Sequence, residues 1–138
     1  MDHLALAVRD QQRSRLFYET YLGFDAHPPD RYPDGTLMLY DADGFALALG
    51  LVDEPIRLPR FLHFGKGLET AAEVHAFRER LLAGGIEIVG WWEEPAYVSV
   101  KFRDPDGYVV EVSWEPDEAE SWSWAGLVRP LHLRRRRV

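Results

Sequence analysis

Residues 102–111 read Phe102-Arg103-Asp104-Pro105-Asp106-Gly107-Tyr108-Val109-Val110-Glu111. The segment spells a hairpin. A Pro- and Gly-containing turn sits between two runs rich in β-branched and aromatic residues. The device also occurs earlier, as Asp41-Ala42-Asp43-Gly44 followed by Phe45 to Leu51. Asp43-Gly44-Phe45 and Asp106-Gly107-Tyr108 are 63 residues apart, a spacing that also pairs Ala48 with Glu111. Further toward the N-terminus the spacing is 60: His3 with His63, Phe17 with Phe77, Leu22 with Leu82. The chain is one module of about 60 residues written twice.

Each copy carries its own local signals. His3-Leu4-Ala5-Leu6-Ala7-Val8 alternates large and small apolar groups and predicts a strand. Asp10 is an N-cap for a helix with Phe17, Tyr18, Tyr21 and Leu22 along one side, and Gly23 supplies its left-handed stop. Two Pro-interrupted turns lead to strands over 36–40 and 45–51, and Pro55 and Pro59 mark a connector. The second copy opens with a strand over 61–65. A Thr70…Glu73 capping box follows, with a buried stripe of Val74, Phe77 and Leu81 and a stop at Gly84-Gly85. Strands over 86–89, 97–103 and 108–114 complete it. This predicts an α+β fold of two tandem βαβββ modules: a single domain over 1–116, with module one at 1–55 and module two at 59–116. Residues 117–138 form a C-terminal extension.

Bulk properties limit the function. The 138 residues carry 23 acidic and 16 basic side chains, for a formal charge of −7. Such a surface repels phosphate backbones, so no nucleic-acid partner is expected, and the run Arg134–Arg137 reads as a solvated end. With no cysteine there is no disulfide, zinc-thiolate site or thiol nucleophile. No apolar run reaches the roughly 18 residues of a membrane span. No membrane partner is expected, the N-terminal residues do not read as a signal peptide, and a cytoplasmic location is the default.

The segments 3–8, Phe17-Tyr18 with Leu22-Gly23-Phe24, and 102–111 together resemble the vicinal-oxygen-chelate superfamily, the glyoxalase/bleomycin-resistance/dioxygenase group. The resemblance covers residues 2 to about 116. It implies curved mixed sheets forming an open cup with the helices outside, and metal ligands on the first and last strands of each module. It also implies a homodimer, in which His3 of one chain can pair with His63 and Glu111 of its neighbour.

Strand parity places the candidate ligands. His3, Ala5 and Ala7 share one face, opposite the larger Leu4, Leu6 and Val8, which are expected to pack on a helix. Phe61, His63 and Gly65 behave alike, as do Val109, Glu111 and Ser113. A carboxylate set among valines costs several kcal/mol to bury unless it is paired or metal-bound. Two histidines and a glutamate form a facial triad suited to Fe2+ or Mn2+, with Zn2+, Ni2+ or Co2+ also possible. Ala5, Ala46 and Ala48 are read as one wall of the pocket and Trp91, Trp92, Tyr97 and Ser99 as the other. Lys101 is the candidate catalytic cation. His27, His75 and His132 are read as surface residues.

Departures from the family narrow the chemistry. Glyoxalase I enzymes carry a fourth ligand, a glutamate, where this chain has Ala48. The tyrosine usual ten residues before the glutamate in extradiol dioxygenases and fosfomycin transferases is Lys101. The threonine that the fosfomycin enzymes place two residues after their first histidine is Ala5, and their Ser/Gly-rich potassium loop has no counterpart in Glu93–Ala96. The sequence therefore predicts a metal-dependent enzyme acting on a small molecule that chelates through vicinal oxygens, with dioxygenase- or lyase-like chemistry favoured. The alternative is a metal-free protein of the bleomycin-resistance type that sequesters a small molecule or drug.

Overall fold

The computed structural model describes residues 1–117. The Arg134–Arg137 run, His132 and Trp122-Ser123-Trp124 lie outside the described residues. The first module runs β1 (His3–Val8), α1 (Gln11–Leu22), β2 (Asp30–Arg31), β3 (Leu37–Tyr40) and β4 (Ala46–Leu51). The second runs β5 (His63–Gly67), α2 (Ala71–Ala83), β6 (Ile88–Glu94), β7 (Tyr97–Arg103) and β8 (Val109–Trp114). Each builds a four-stranded mixed sheet, in the orders β1-β4-β3-β2 and β5-β8-β7-β6. This is the tandem βαβββ architecture expected.

The local signals act as read. The Asp10 side chain accepts the Arg13 N–H at the start of α1, and Thr70 with Glu73 closes a reciprocal capping box on α2. The register gives the duplication in three dimensions: β1 pairs in parallel with β4 as Ala5 with Ala48, and β5 with β8 as Gly65 with Glu111. Ala48 is therefore the structural equivalent of Glu111.

In each sheet one face is buried and the other open. Leu6, Val8, Leu47 and Leu49 of the first sheet and Val98, Val100, Phe102, Val110 and Val112 of the second are buried in a single core with Phe17, Tyr18, Val74, Phe77 and Leu81 of the helices. Phe17 and Phe77, equivalent by the duplication, both reach Phe102, at centroid distances of 6.2 and 5.4 Å. Leu82 departs from its partner Leu22: it is exposed, whereas Leu22 is buried.

The Asp-Pro-Asp-Gly turn joins the modules. Gly107 holds φ +92°, which leaves Asp104 Oδ1 to accept the backbone N–H groups of Asp106 and Tyr108. Asp104 Oδ2 accepts the buried Tyr18 hydroxyl at 2.7 Å. Asp106 accepts from the Arg9 backbone, Arg13 and Ser14 at the start of α1. At the other end of α1, Arg80 and Lys66 of module two donate to the carbonyls of Thr20 and Leu22, supplying cations to a helix terminus with no basic residue of its own.

Candidate metal centre

The open face of the second sheet holds a polar cluster built by strand register. Lys101 lies opposite Glu111, and Ser99 opposite Ser113. Parity adds Tyr97 to the same side, and the parallel pairing of β5 with β8 brings His63 alongside. Glu111 is the hub, with only 14% of its side chain exposed. Its Oε1 accepts two hydroxyls, from Tyr97 and Ser99, each at 2.5 Å. Its Oε2 faces His63 Nε2 at 3.4 Å and the Lys101 ammonium at 3.8 Å.

Electrostatics keep this carboxylate ionised. Burial alone would raise its pKa. The Ser99 and Tyr97 hydroxyls, then the charges of Lys101 and His63, outweigh burial and hold the carboxyl below the ordinary glutamate range. The Tyr97 hydroxyl moves the other way, pushed up to about 12 by burial and by its bond to Glu111, so it remains a donor at neutral pH.

His63 Nδ1 lies 3.0 Å from the Phe61 carbonyl. A carbonyl only accepts, so Nδ1 carries a proton. In the neutral ring Nε2 then presents a lone pair to Glu111 Oε2. Nε2 and Oε2, 3.4 Å apart, thus both present lone pairs to the space between them. The donor set therefore fits a divalent metal, which neutral imidazole and carboxylate both bind.

His3 is placed differently. It lies on the open face of the first sheet, 65% exposed at the side chain, with Nδ1 2.8 Å from Asp2. Within one chain the structure does not bring it to His63 and Glu111, and among the described residues no three histidine or acidic side chains converge as a metal site. Around it the open face carries Ala5, Ala7, Ala48 and Gly50, with Ala46 the register partner of His3.

The two tryptophans do not both line the open face, which corrects the reading from sequence. β6 continues to Glu94, so consecutive residues must point to opposite sides. Trp91 packs on the core beside α2, with the His75 ring 5.1 Å away and the Arg78 guanidinium 5.0 Å over its face. Trp92 stays on the open side, 43% exposed. Its indole folds back over Gly90, where an added Cβ would lie 2.4 Å from the ring. Gly90 is also the register partner of Lys101, and the ammonium sits 5.0 Å over the Trp92 ring. What the sequence reading missed is that the Tyr97 and Ser99 hydroxyls serve Glu111. The signal was present in the i, i+2 spacing of residues 97, 99 and 101.

A family model described as the glyoxalase/bleomycin resistance protein/dioxygenase superfamily matches residues 1–112. The chain belongs to this superfamily. No curated protein matches the chain. Among solved structures, a possible glyoxalase from Bacillus cereus is 26% identical, with a TM-score of 0.67 over 81% of this chain and 96% of that one. The fosfomycin resistance protein FosX from Listeria monocytogenes is 19% identical, with a TM-score of 0.72 over 90% and 97%. Lactoylglutathione lyase from Agrobacterium tumefaciens is 22% identical, with a TM-score of 0.63 over 83% and 92%. At these last two identities the likeness is one of fold. No helix among the described residues is long and apolar enough to cross a membrane.

Proposed function

We propose that this superfamily member is a divalent-metal-dependent enzyme whose substrate is a small molecule with two vicinal oxygens. The observation that carries the reading is the Glu111–His63 pair. An ionised carboxylate oxygen and an imidazole nitrogen, whose other nitrogen is tied to Phe61, face each other on an open sheet. His63 and Glu111 would hold the ion, with His3 from a second copy of the chain completing the triad in a homodimer. Fe2+ or Mn2+ suits two imidazoles and one carboxylate best, with Zn2+, Ni2+ or Co2+ as further candidates. When bound, such an ion supplies Lewis-acid stabilisation of a developing oxyanion. Tyr97 and Ser99 orient Glu111, Lys101 lies beside it as the catalytic cation, and Ala5, Ala46 and Ala48 leave room for the substrate. Ala48 in place of a fourth carboxylate ligand argues against a glyoxalase I reaction and favours dioxygenase- or lyase-like chemistry. A cytoplasmic location belongs to the same proposal.

The test is elemental mass spectrometry of protein purified without a histidine tag, beside His63→Ala and Glu111→Ala. Near-stoichiometric metal in the wild type, lost in both variants, is the expected result. No metal after reconstitution with Fe2+, Mn2+ and Ni2+ would refute it. Mixing His3→Ala with His63→Ala subunits tests the dimer. A two-fold site shared between chains restores metal to about a quarter of sites after random exchange. A site within one chain restores none.

One observation favours a second reading. Lys101 already neutralises Glu111, and Trp92 offers an exposed aromatic surface. This suits a metal-free protein that sequesters a small molecule or drug, as bleomycin-resistance proteins do. Metal-free protein that still binds planar ligands tightly would decide for it.

A further inference from the structure

Glu111 uses its two oxygens differently. Oε1 is saturated by Tyr97 and Ser99, two hydroxyls held on β7 by register. Oε2 accepts no hydrogen bond from any described residue. It faces two positive or potentially positive groups, His63 at 3.4 Å and Lys101 at 3.8 Å. The fixed oxygen makes the carboxylate rigid, and the loose one makes it exchangeable. A divalent cation arriving at Oε2 and His63 Nε2 enters the space where the Lys101 ammonium now balances the charge.

Lys101 itself is under-used. Its side chain is only 24% exposed, yet among the described residues its three N–H groups donate no hydrogen bond. What it has is a long ion pair and the face of Trp92 at 5.0 Å. Such a cation–π contact at a partly exposed site is weak. A charge-assisted hydrogen bond to a carboxylate or phosphonate is stronger. Gly90 builds the seat for both. Having no side chain of its own, it admits the Trp92 indole, which lies across it as a flat platform beside Lys101.

We propose that Lys101 is a placeholder cation that becomes the anion-binding group of the site. It neutralises Glu111 in the resting protein, and once a divalent cation takes over Oε2 it is released to hold the acidic group of a planar substrate against Trp92. The substrate class is thus a small aromatic or otherwise flat molecule bearing a carboxylate, phosphonate or phosphate. The release step rests on the metal reading given above. The anion site does not, because removing the Glu111 charge frees the same ammonium without any metal.

The experiment uses phenylphosphonate as the probe, with binding followed by tryptophan fluorescence and calorimetry. In metal-free protein, Glu111→Gln should bind phenylphosphonate about tenfold more tightly than the wild type. Adding Lys101→Met to that variant should abolish the gain, and Trp92→Leu should erase the preference for phenylphosphonate over inorganic phosphate. Lys101→Met alone should bind Mn2+ about tenfold more tightly than the wild type, since the competing charge is gone. Lys101→Gln, which keeps a polar side chain, should behave alike, and near-UV circular dichroism checks that each variant is folded. Equal phenylphosphonate binding by Glu111→Gln with and without Lys101 would overturn the anion site. Unchanged Mn2+ affinity in both Lys101 variants would overturn the placeholder role. Wild-type protein that takes up no Mn2+, beside Lys101-dependent anion binding in Glu111→Gln, would sink the metal reading and leave the anion site standing.

Discussion

Removing the Tyr18 hydroxyl tests how the modules are joined. Tyr18 is fully buried on α1, and its hydroxyl donates at 2.7 Å to Oδ2 of Asp104, itself only 5% exposed. Asp104 Oδ1 is already engaged by two backbone N–H groups, so Oδ2 has no other donor among the described residues. Tyr18→Phe keeps the ring in the core and leaves a buried carboxylate oxygen unpaired. Hydrogen bonds to charged groups are worth about 1.5–3 kcal/mol, so a loss of about 2 kcal/mol is expected. For a domain of this size that lowers Tm by about 6–8 °C. The pH dependence sharpens the test. Burial raises the Asp104 pKa, and the Tyr18, Tyr108 and Asp106 hydrogen bonds oppose the rise without cancelling it. A raised folded-state pKa favours the protonated carboxyl, so its contribution to stability is full in acid and lost as pH climbs through that pKa. Removing the Tyr18 bond raises it further, because that bond favours the ionised carboxylate. The penalty should therefore be larger at pH 7.5 than at pH 5. Urea denaturation at the two pH values measures it. A penalty under about 0.5 kcal/mol, small even for a net neutral hydrogen bond, or one that grows in acid, would refute the reasoning.

Asp106→Ala removes the acceptor for Arg9, Arg13 and Ser14 and should cost about 1–3 kcal/mol in urea melts, while phenylphosphonate binding stays unchanged. Trp91→Ala should cost about 3 kcal/mol, because the indole packs on the core, whereas Trp92→Ala should cost under about 1 kcal/mol; denaturation of both variants reads the difference directly. Tyr97→Phe combined with Ser99→Ala releases Glu111 Oε1, and calorimetry should show Mn2+ affinity falling about tenfold or more, the usual effect of losing partners that orient a ligand.

Much of this was legible in the chain because strands alternate and turns fix register. Once Asp104–Gly107 closes the hairpin with Arg103 opposite Val109, Lys101 must meet Glu111 and Ser99 must meet Ser113. The sorting of Leu6 and Val8 from His3 and Ala5 is the same parity. The errors have equally physical causes. Ending the first strand after α2 at Val89 hid that β6 carries Trp91 and Trp92 to opposite faces. The two-residue β2, beside Pro28-Pro29, is too short for any periodicity to mark. The place of His3 relative to Glu111 depends on how the modules dock. That is set by Tyr18 with Asp104 and by Arg80 with Thr20, contacts between residues 86 and 60 positions apart with no local pattern to announce them.

Those same contacts explain how a duplicated scaffold acquires one-sided chemistry. Each hairpin turn holds an aspartate whose Oδ1 ties its own turn, Asp41 through Asp43 and Phe45, Asp104 through Asp106 and Tyr108. Each leaves Oδ2 for the other module, where Asp41 meets Lys66 at 3.6 Å and Asp104 meets Tyr18. The fastening is reciprocal and runs through the turns, the first helix and Lys66 of β5, none of them on the open faces that carry His3 and Glu111. Freed of that duty, the faces have diverged. Module one carries His3 among alanines and glycine, while module two gathers Glu111, His63, Lys101, Tyr97 and Ser99. On the metal reading proposed above, a rigid carboxylate with one exchangeable oxygen still needs a third ligand and a wall that leaves space for a substrate. In the proposed homodimer the first module's face would supply both, through His3 and the small residues beside it, on a surface that a single chain leaves open.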